Sequence, residues 1–390
     1  MATGDGLHSW RDTQFYRKLN LFYVGIIWAL YLVQSHLMVL WNDFKRNDGC
    51  RSPSTDDAAC EPKEGDIDAM GHQGQRNEGC SPSYSCIVTG ASSGIGKAVA
   101  EELAAKGFYV ILGCVSPQRG LEAAEEIQRK HKGAAVEVRA LDLSSPASVV
   151  SFANNIALSL GAAVPPRPLV LLINNAAVIK IKRTWTEEGR DYVMATNYLG
   201  SFLLSRELLP LLEKAPRARI VNVCSFTHRA VSALYTDEPS LAAGGVYPVS
   251  SSASTAGTYM PGFGYQTTKL CNTLFTNELH RRLFVERRKL QSPVVSANAA
   301  DPGAVDTNLL REVPVGLRKF GMLVLAALGL LKSPAEGANA VIDAALANEG
   351  TSGLYYFGGK GRHLKGSQLA CNEELGRNLW ETSSRMFHSH

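Results

Sequence analysis

Three absences narrow the field first. The eight cysteines, at positions 50, 60, 80, 86, 114, 224, 271 and 371, include no Cys-x-x-Cys pair, and no histidine stands at finger spacing from any of them. A zinc site is therefore not expected. Cys86, Cys114 and Cys224 fall in apolar stretches where a thiol acts as a small hydrophobe, which suits a reducing compartment, and Cys50, Cys60 and Cys80 have no evident partner set. Basic runs are also missing: nothing exceeds Arg281-Arg282 and Arg287-Arg288-Lys289, and 40 basic against 36 acidic residues leave a dispersed net charge of +4. Nucleic acid is excluded as a partner on that pattern. The third absence is local. Leu19 to Trp41 contains no Asp, Glu, Lys or Arg across 23 positions.

As a helix that segment extends about 34 Å and matches a bilayer core. Tyr23 and Trp41 suit the interfaces, and Arg17-Lys18 and Lys45-Arg46 frame the run too evenly to fix its orientation. A cleaved signal peptide is disfavoured because Trp-Asn-Asp-Phe-Lys-Arg follows instead of small residues. An interfacial amphipathic helix stays open, since Asn20, Gln34, Ser35 and His36 dilute the run. A buried soluble helix is least expected, because nothing adjacent covers it. The organisation that follows is an N-terminal segment 1–18, a candidate transmembrane helix 19–41, a flexible linker 42–83 rich in Gly, Asp, Glu, Ser, Pro and Lys, and a single catalytic domain 84–390.

Within that domain, apolar runs at Ile87–Val88, Tyr109–Leu112, Val136–Leu141, Leu169–Ile173, Ile220–Val223, Val294–Ala299 and Leu354–Phe357 alternate with helical stretches. Continuous apolar strands with helical crossovers predict an α/β, doubly wound parallel sheet of the Rossmann type. The stretch Tyr84 to Gly96 reads as strand, tight turn and helix start, with Gly90, Gly94 and Gly96 letting backbone approach a phosphate near the positive helix end. A dinucleotide pyrophosphate fits such a place. Tyr265 and Lys269, four apart, share one helix face, and an ammonium beside a phenol is expected to bring the phenol's pKa down towards working range.

Six motifs in order resemble the short-chain dehydrogenase/reductase family: Thr89-Gly90-Ala91-Ser92-Ser93-Gly94-Ile95-Gly96, Asn174-Asn175-Ala176-Ala177, Asn197-Tyr198-Leu199-Gly200, Ser225, Tyr265-Gln266-Thr267-Thr268-Lys269, and Asp301-Pro302-Gly303 with Thr307. The resemblance covers about residues 84–360 and is nearest the polyprenol dehydrogenase and retinol dehydrogenase-like branch. It implies an NAD(P)-dependent oxidoreductase with Asn197, Ser225, Tyr265 and Lys269 as catalytic residues. The cofactor set it implies is Gly90, Ser92, Ser93, Gly94, Ile95, Gly96, Asp142, Asn174, Ala176, Tyr265, Lys269, Pro302, Gly303 and Thr307. Tyr265 would exchange the proton, Ser225 hold the substrate oxygen, Lys269 bind the nicotinamide ribose and Asn197 support a water leading to Lys269.

Departures from the family pattern are Ala177 in place of Gly, tolerated where φ is negative, and Cys224 where a second Ser is common. Asp142 either contacts adenine or serves as an acid at the helix start near Ser144-Ser145-Pro146. Gly113-Cys114-Val115-Ser116 closes the second strand without an acid, and with Lys97 and Arg119 nearby this leans towards NADP over NAD. The substrate implied is a small lipophilic alcohol or aldehyde, such as a polyprenol, retinoid or sterol-like molecule, handled by a single-pass protein of the endoplasmic reticulum or another organelle membrane, with a homodimer open. An insertion at about 234–264 and an apolar lid or second membrane contact at about 313–331, alternatively a buried core helix, flank the site. A catalytically idle, cofactor-sensing or scaffold protein on the same fold is the rival reading, disfavoured by the intact acid–base set.

Overall fold

The computed structural model describes residues 14–47, 84–164, 166–246, 262–291 and 294–387. Seven expected strands appear as β1 (Ser85–Thr89), β2 (Tyr109–Cys114), β3 (Val136–Ala140), β4 (Leu169–Asn174), β5 (Ala218–Val223), β6 (Val295–Asp301) and, after two short additions, β9 (Tyr355–Phe357). With β10 (His363–Leu364) they form one sheet in the order β10-β9-β6-β5-β4-β1-β2-β3, parallel except for the β9–β10 pair. The strands are apolar on both faces because helices cover both. One face buries Phe152, Phe202, Leu274, Phe275 and Leu379; the other buries Val99, Leu103, Ile127, Val341 and Ala344.

The helices that supply those layers are α2 (Gly94–Ala105), α3 (Pro117–Lys130), α4 (Pro146–Ala162), α5 (Gly200–Leu212), α6 (Phe263–Leu279), α8 (Pro334–Ala345) and α9 (Glu373–Arg385). Chain order reverses between β1 and β4, so the crevice outside their carboxyl ends is where a doubly wound sheet takes a ligand. β7 (Ala304–Val305) and β8 (Leu331–Lys332) pair as a separate two-stranded ribbon that frames α7 (Val315–Ala327). No residue of α7 is buried, and Val315, Phe320, Leu323 and Leu328 are exposed, so the buried-core reading of 313–331 is corrected.

The N-terminal helix departs most from expectation. α1 runs from Gln14 to Asn47, so the first six residues assigned to a linker at 42–83 continue the helix; residues 48–83 lie outside the described residues, as do 247–261 of the insertion at 234–264. Phe22–Trp41, with mean hydropathy 1.6, is long and apolar enough to cross a membrane. Yet Val24, Leu32, Ser35 and Val39 are buried against the catalytic domain, so the premise that nothing adjacent covers the segment is corrected. These positions recur at helical spacing and make one stripe, while Phe22, Ile26, Leu30 and Leu37 are exposed.

Candidate active site

The turn after β1 is built for close backbone approach. Gly90 and Gly94 adopt φ of +65° and +59°. A Cβ on Gly96 would stand 2.4 Å from Asn175 Nδ2 and 2.6 Å from the Gly90 carbonyl oxygen, and one on Gly90 2.8 Å from Ala176 Cα. Ser93 at the N-cap of α2 makes no side-chain capping bond, which leaves first-turn N–H groups for an anion. Thr89 ties the turn to the end of β4: its Oγ1 accepts from the N–H groups of Asn175 and Ala176, both at 3.0 Å, and Asn175 Nδ2 donates to the Thr89 carbonyl at 2.8 Å. Thr307 closes the other side, its Cγ2 lying 3.2 Å from where a Gly94 Cβ would be. Turn, strand end and late loop thus converge as the motif order implied, and the cradle fits a dinucleotide phosphate.

Some expected cofactor residues are also tied into the framework. Asn174 is buried and its Nδ2 donates to Ser205 Oγ at 2.9 Å and Asn222 Oδ1 at 2.8 Å, inside the framework. Asp142 Oδ1 accepts from the Ser144 N–H at 2.9 Å and hydroxyl at 2.6 Å, closing the turn before Ser145 caps α4; these bonds engage one carboxylate oxygen. Lys97 is ion-paired with Glu126 across α2 and α3. Cys114, at the end of β2, is hydrogen bonded to the turn at Ala91 and Ser92, and Arg119 acts on it electrostatically. The second strand therefore ends beside the cradle with no acid. The non-glycine residues with positive φ among those described are Gln291 and Lys360, so Ala177 sits in ordinary backbone. Gly303 has φ +81° and donates to Asp301 Oδ1 at 2.9 Å, shaping the Pro302 loop.

The four expected catalytic residues come together. Asn197 lies in a π-helical turn (Ala195–Leu199) just before α5, a deviation common at functional sites. Its Oδ1 accepts from the Val178 N–H at 2.8 Å, and its Nδ2 donates to the Val178 carbonyl at 2.9 Å and Thr268 Oγ1 at 3.2 Å, clamping the segment after β4 to α6. Ser225 follows β5 and its side chain is hydrogen bonded to the Tyr265 hydroxyl. Lys269 Nζ donates to the Val223 carbonyl at 2.7 Å and stands 5.4 Å from the Tyr265 ring centre.

The protonation pattern differs from expectation. Burial, then the nearby charge of Asp301, holds the Tyr265 phenol above its ordinary range, although the Ser225 bond works the other way. Burial likewise pushes Lys269 down to about 8. The expected lowering of Tyr265 by the Lys269 ammonium is thus corrected: desolvation is the largest influence on each group.

A second layer of buried polar residues lies behind these four. Asp301, fully buried at the end of β6, accepts from the Tyr355 hydroxyl at 2.7 Å. His228 Nε2 accepts from the Ser367 N–H at 3.1 Å, so Nδ1 carries the proton and donates to the Ser225 carbonyl at 2.7 Å, with the Tyr355 hydroxyl 3.4 Å away. Burial, with Arg229 beside it, lowers His228 to about 3, so the ring is neutral. His228 therefore holds the Ser225 backbone. Neither His228 nor Tyr355 belongs to a motif, and only the Asp before Pro302 carried a signal.

Comparison with known proteins agrees with this geometry. The family profile described as short chain dehydrogenase matches residues 85–237. Retinol dehydrogenase 14 of Mus musculus is 33% identical over 326 residues, covering 80% of this chain and 89% of the relative. Retinol dehydrogenase 12 of Homo sapiens is 33% identical over 307 residues, covering 78% and 86%. A crystal structure of an uncharacterized protein from Mycobacterium Paratuberculosis superposes with a TM-score of 0.56 at 27% identity, over 78% of this chain and 92% of that one. Cradle, acid–base set and relatives agree: the chain belongs to the short-chain dehydrogenase family, in its retinol dehydrogenase-like branch, and is an NAD(P)-dependent oxidoreductase acting on alcohols.

Proposed function

We propose that the enzyme interconverts a long-chain lipophilic alcohol and its carbonyl at a membrane surface, with NADP(H) preferred. The observation that carries this reading is the pair of apolar helices beside the reacting groups. α1 and α7 both border the cluster that contains Cys224 and Phe226, the neighbours of Ser225, and both leave large apolar side chains exposed. A patch of that kind next to a catalytic mouth suits entry of substrate from lipid. The NADP preference rests on the acid-free end of β2 with Arg119 beside it.

Gly90, Ser92, Ser93, Gly94, Ile95 and Gly96 of the cradle would hold the cofactor phosphates, and Ala176, Pro302, Gly303 and Thr307 would complete the cofactor site. When bound, the nicotinamide supplies the two-electron donor or acceptor. Ser225 and Tyr265, hydrogen bonded to one another, present two hydroxyls to the substrate oxygen. Burial keeps the phenol protonated at neutral pH, so Tyr265 would give its proton to the carbonyl oxygen in reduction and take one from the alcohol in oxidation. Lys269, fixed by the Val223 carbonyl, and Asn197, fixed by Val178, hold the helix face that carries Tyr265. Tyr265→Phe should abolish turnover and keep cofactor affinity, read by steady-state kinetics on a panel of aliphatic, retinoid and isoprenoid substrates with NADPH and NADH. Retained turnover would sink the catalytic assignment, and uniform silence of the wild-type enzyme across the panel with NADPH still bound would favour a non-catalytic role.

A further inference from the structure

α1 reaches the reacting groups themselves. Trp28 Nε1–H donates to Gln266 Oε1 at 2.9 Å, and Gln266, the residue after Tyr265, is 3% exposed. The Trp28 ring lies 5.6 Å from the Tyr265 ring, tilted by 50°. One turn earlier, Val24 meets the start of α6. Gly262 there has φ +90°, and a Cβ on it would stand 2.9 Å from Val24 Cγ1 and 3.2 Å from Trp28 Cζ2. The fit at this point is thus close enough to require a residue without a side chain.

The same stripe continues past the other hydroxyl. Leu32, one turn after Trp28, is fully buried in the cluster with Cys224 and Phe226, which flank Ser225. His36, a further turn on, meets Phe357 edge-on at 5.1 Å, at the end of β9. Four successive turns of α1 therefore run from the helix that carries Tyr265 to β9, the strand next to the edge of the sheet. A helix that merely attached the domain to a membrane has no need of such a fit.

We propose that Trp28 is a wall of the substrate pocket and a specificity-determining residue, and that α1 is a working part of the catalytic site. This rests on the reading above that Tyr265 and Ser225 act on a lipophilic alcohol or carbonyl. Trp28 limits the space beside the Tyr265 hydroxyl, and the exposed side of the same helix, at Ile26 and Leu30, is the surface along which an apolar chain leaves the bilayer. A substrate is held with its reacting oxygen between Tyr265 and Ser225 and its chain along α1. Removing the indole opens the pocket and admits water beside Tyr265.

The test uses full-length protein in phosphatidylcholine liposomes, comparing wild type with Trp28→Ala and the conservative Trp28→Phe. kcat and KM are measured for farnesal, a long isoprenoid aldehyde, and hexanal, a short one, with NADPH. Trp28→Ala should change the farnesal-to-hexanal ratio of kcat/KM by about tenfold or more, the scale of a lost apolar pocket contact. It should leave the NADPH affinity intact and move the midpoint of the rate against pH downward, because burial is the main influence holding Tyr265 high. Trp28→Phe should fall between the two.

A second readout does not need turnover. Farnesol should quench emission in the wild-type protein by more than in Trp28→Phe, the difference being the contribution of Trp28. An unchanged kcat/KM ratio and pH midpoint in Trp28→Ala, or identical quenching in wild type and Trp28→Phe, overturns the assignment. Wild-type protein that turns over neither aldehyde yet shows the difference in quenching would remove the proposed reaction while leaving the pocket wall in place.

Discussion

Lys269 is the residue where catalysis and stability pull in opposite directions, and its replacement by Met makes the conflict measurable. The ammonium is buried, and burial lowers it from an ordinary 10.5 to about 8. That fall corresponds to about 3 kcal/mol set against the charged form in the folded state. The folded protein releases the proton first, so between about pH 8 and 10.5 the unfolded chain binds more protons. Wild-type stability rises with pH across that window, and the full penalty is present only below about 8. A Met side chain of similar length carries no charge and no penalty. It also gives up the bond from Nζ to the Val223 carbonyl, a loss of about 1 kcal/mol. Lys269→Met should therefore be inactive and yet more stable than wild type by about 2 kcal/mol at pH 7, with an apparent Tm a few degrees higher. By pH 10.5 the order should invert. Thermal unfolding of cofactor-free, full-length protein in detergent at both pH values reads the difference. A variant less stable than wild type at pH 7, or a gap that stays constant with pH, would refute the reasoning.

Other perturbations separate cradle, electrostatics and framework. Gly96→Ala forces a Cβ to within 2.4 Å of Asn175 Nδ2, so the turn must open; the overpacking costs about 1–3 kcal/mol and should weaken NADPH binding by about tenfold or more in a fluorescence titration, while far-UV circular dichroism stays unchanged. Asp301→Asn removes a buried charge that holds both Tyr265 and Lys269 up, so the rate-against-pH profile should move to lower pH, whereas an unmoved profile would leave Asp301 a purely structural role. Arg219→Met should cost about 1–3 kcal/mol in urea unfolding, because Ser296 Oγ and the carbonyls of Ala345, Ala347, Asn348 and Thr351 lose the donor they share, while the burial penalty of the guanidinium is relieved.

The parts that were legible in the sequence are those encoded by local pattern. Seven strands stand where continuous apolar runs predicted them, because a sheet covered on both faces admits little else at Ile87, Ile111, Leu172 or Ile220, all fully buried. Gly90, Gly94 and Gly96 were legible for the same reason: positive φ and a missing Cβ leave few alternatives. Arg219 shows the limit. In sequence it is an ordinary cation at a strand start, and its burial follows from carbonyls more than a hundred residues later, at Ala345 to Thr351. His228 is similar, since its partner Ser367 is remote. The protonation of Tyr265 misled the spacing argument because spacing reports that an ammonium is near, whereas desolvation depends on everything packed around both groups. α1 misled it in another way: an uncharged helix reads alike whether lipid or protein covers it, and only the stripe of Val24, Trp28, Leu32 and Val39 distinguishes a docked face.

That docked face bears on how a lipid alcohol would reach the site. Drawing an apolar chain from a bilayer into water costs about 0.8 kcal/mol per CH₂, so an enzyme on a free tether gains proximity without removing the cost. A helix seated on the catalytic domain does something further, because it fixes the orientation in which the domain meets the lipid. On the proposed reading, the exposed sides of α1 and α7 enter the apolar region together, since Leu325 and Leu330 pack on the same cluster as Leu32. The opening beside Ser225 and Tyr265 then faces lipid, and the chain of the substrate can stay there throughout the reaction. Removal of α1 would also strip cover from Cys224, Phe226, Phe357 and Leu364, which it buries. A protein beginning at Ser83 should therefore lose stability and short-chain activity as well as access to lipid, which a purely tethering segment would not cause. Measured on hexanal in detergent, undiminished activity of the shortened protein would assign α1 to attachment alone.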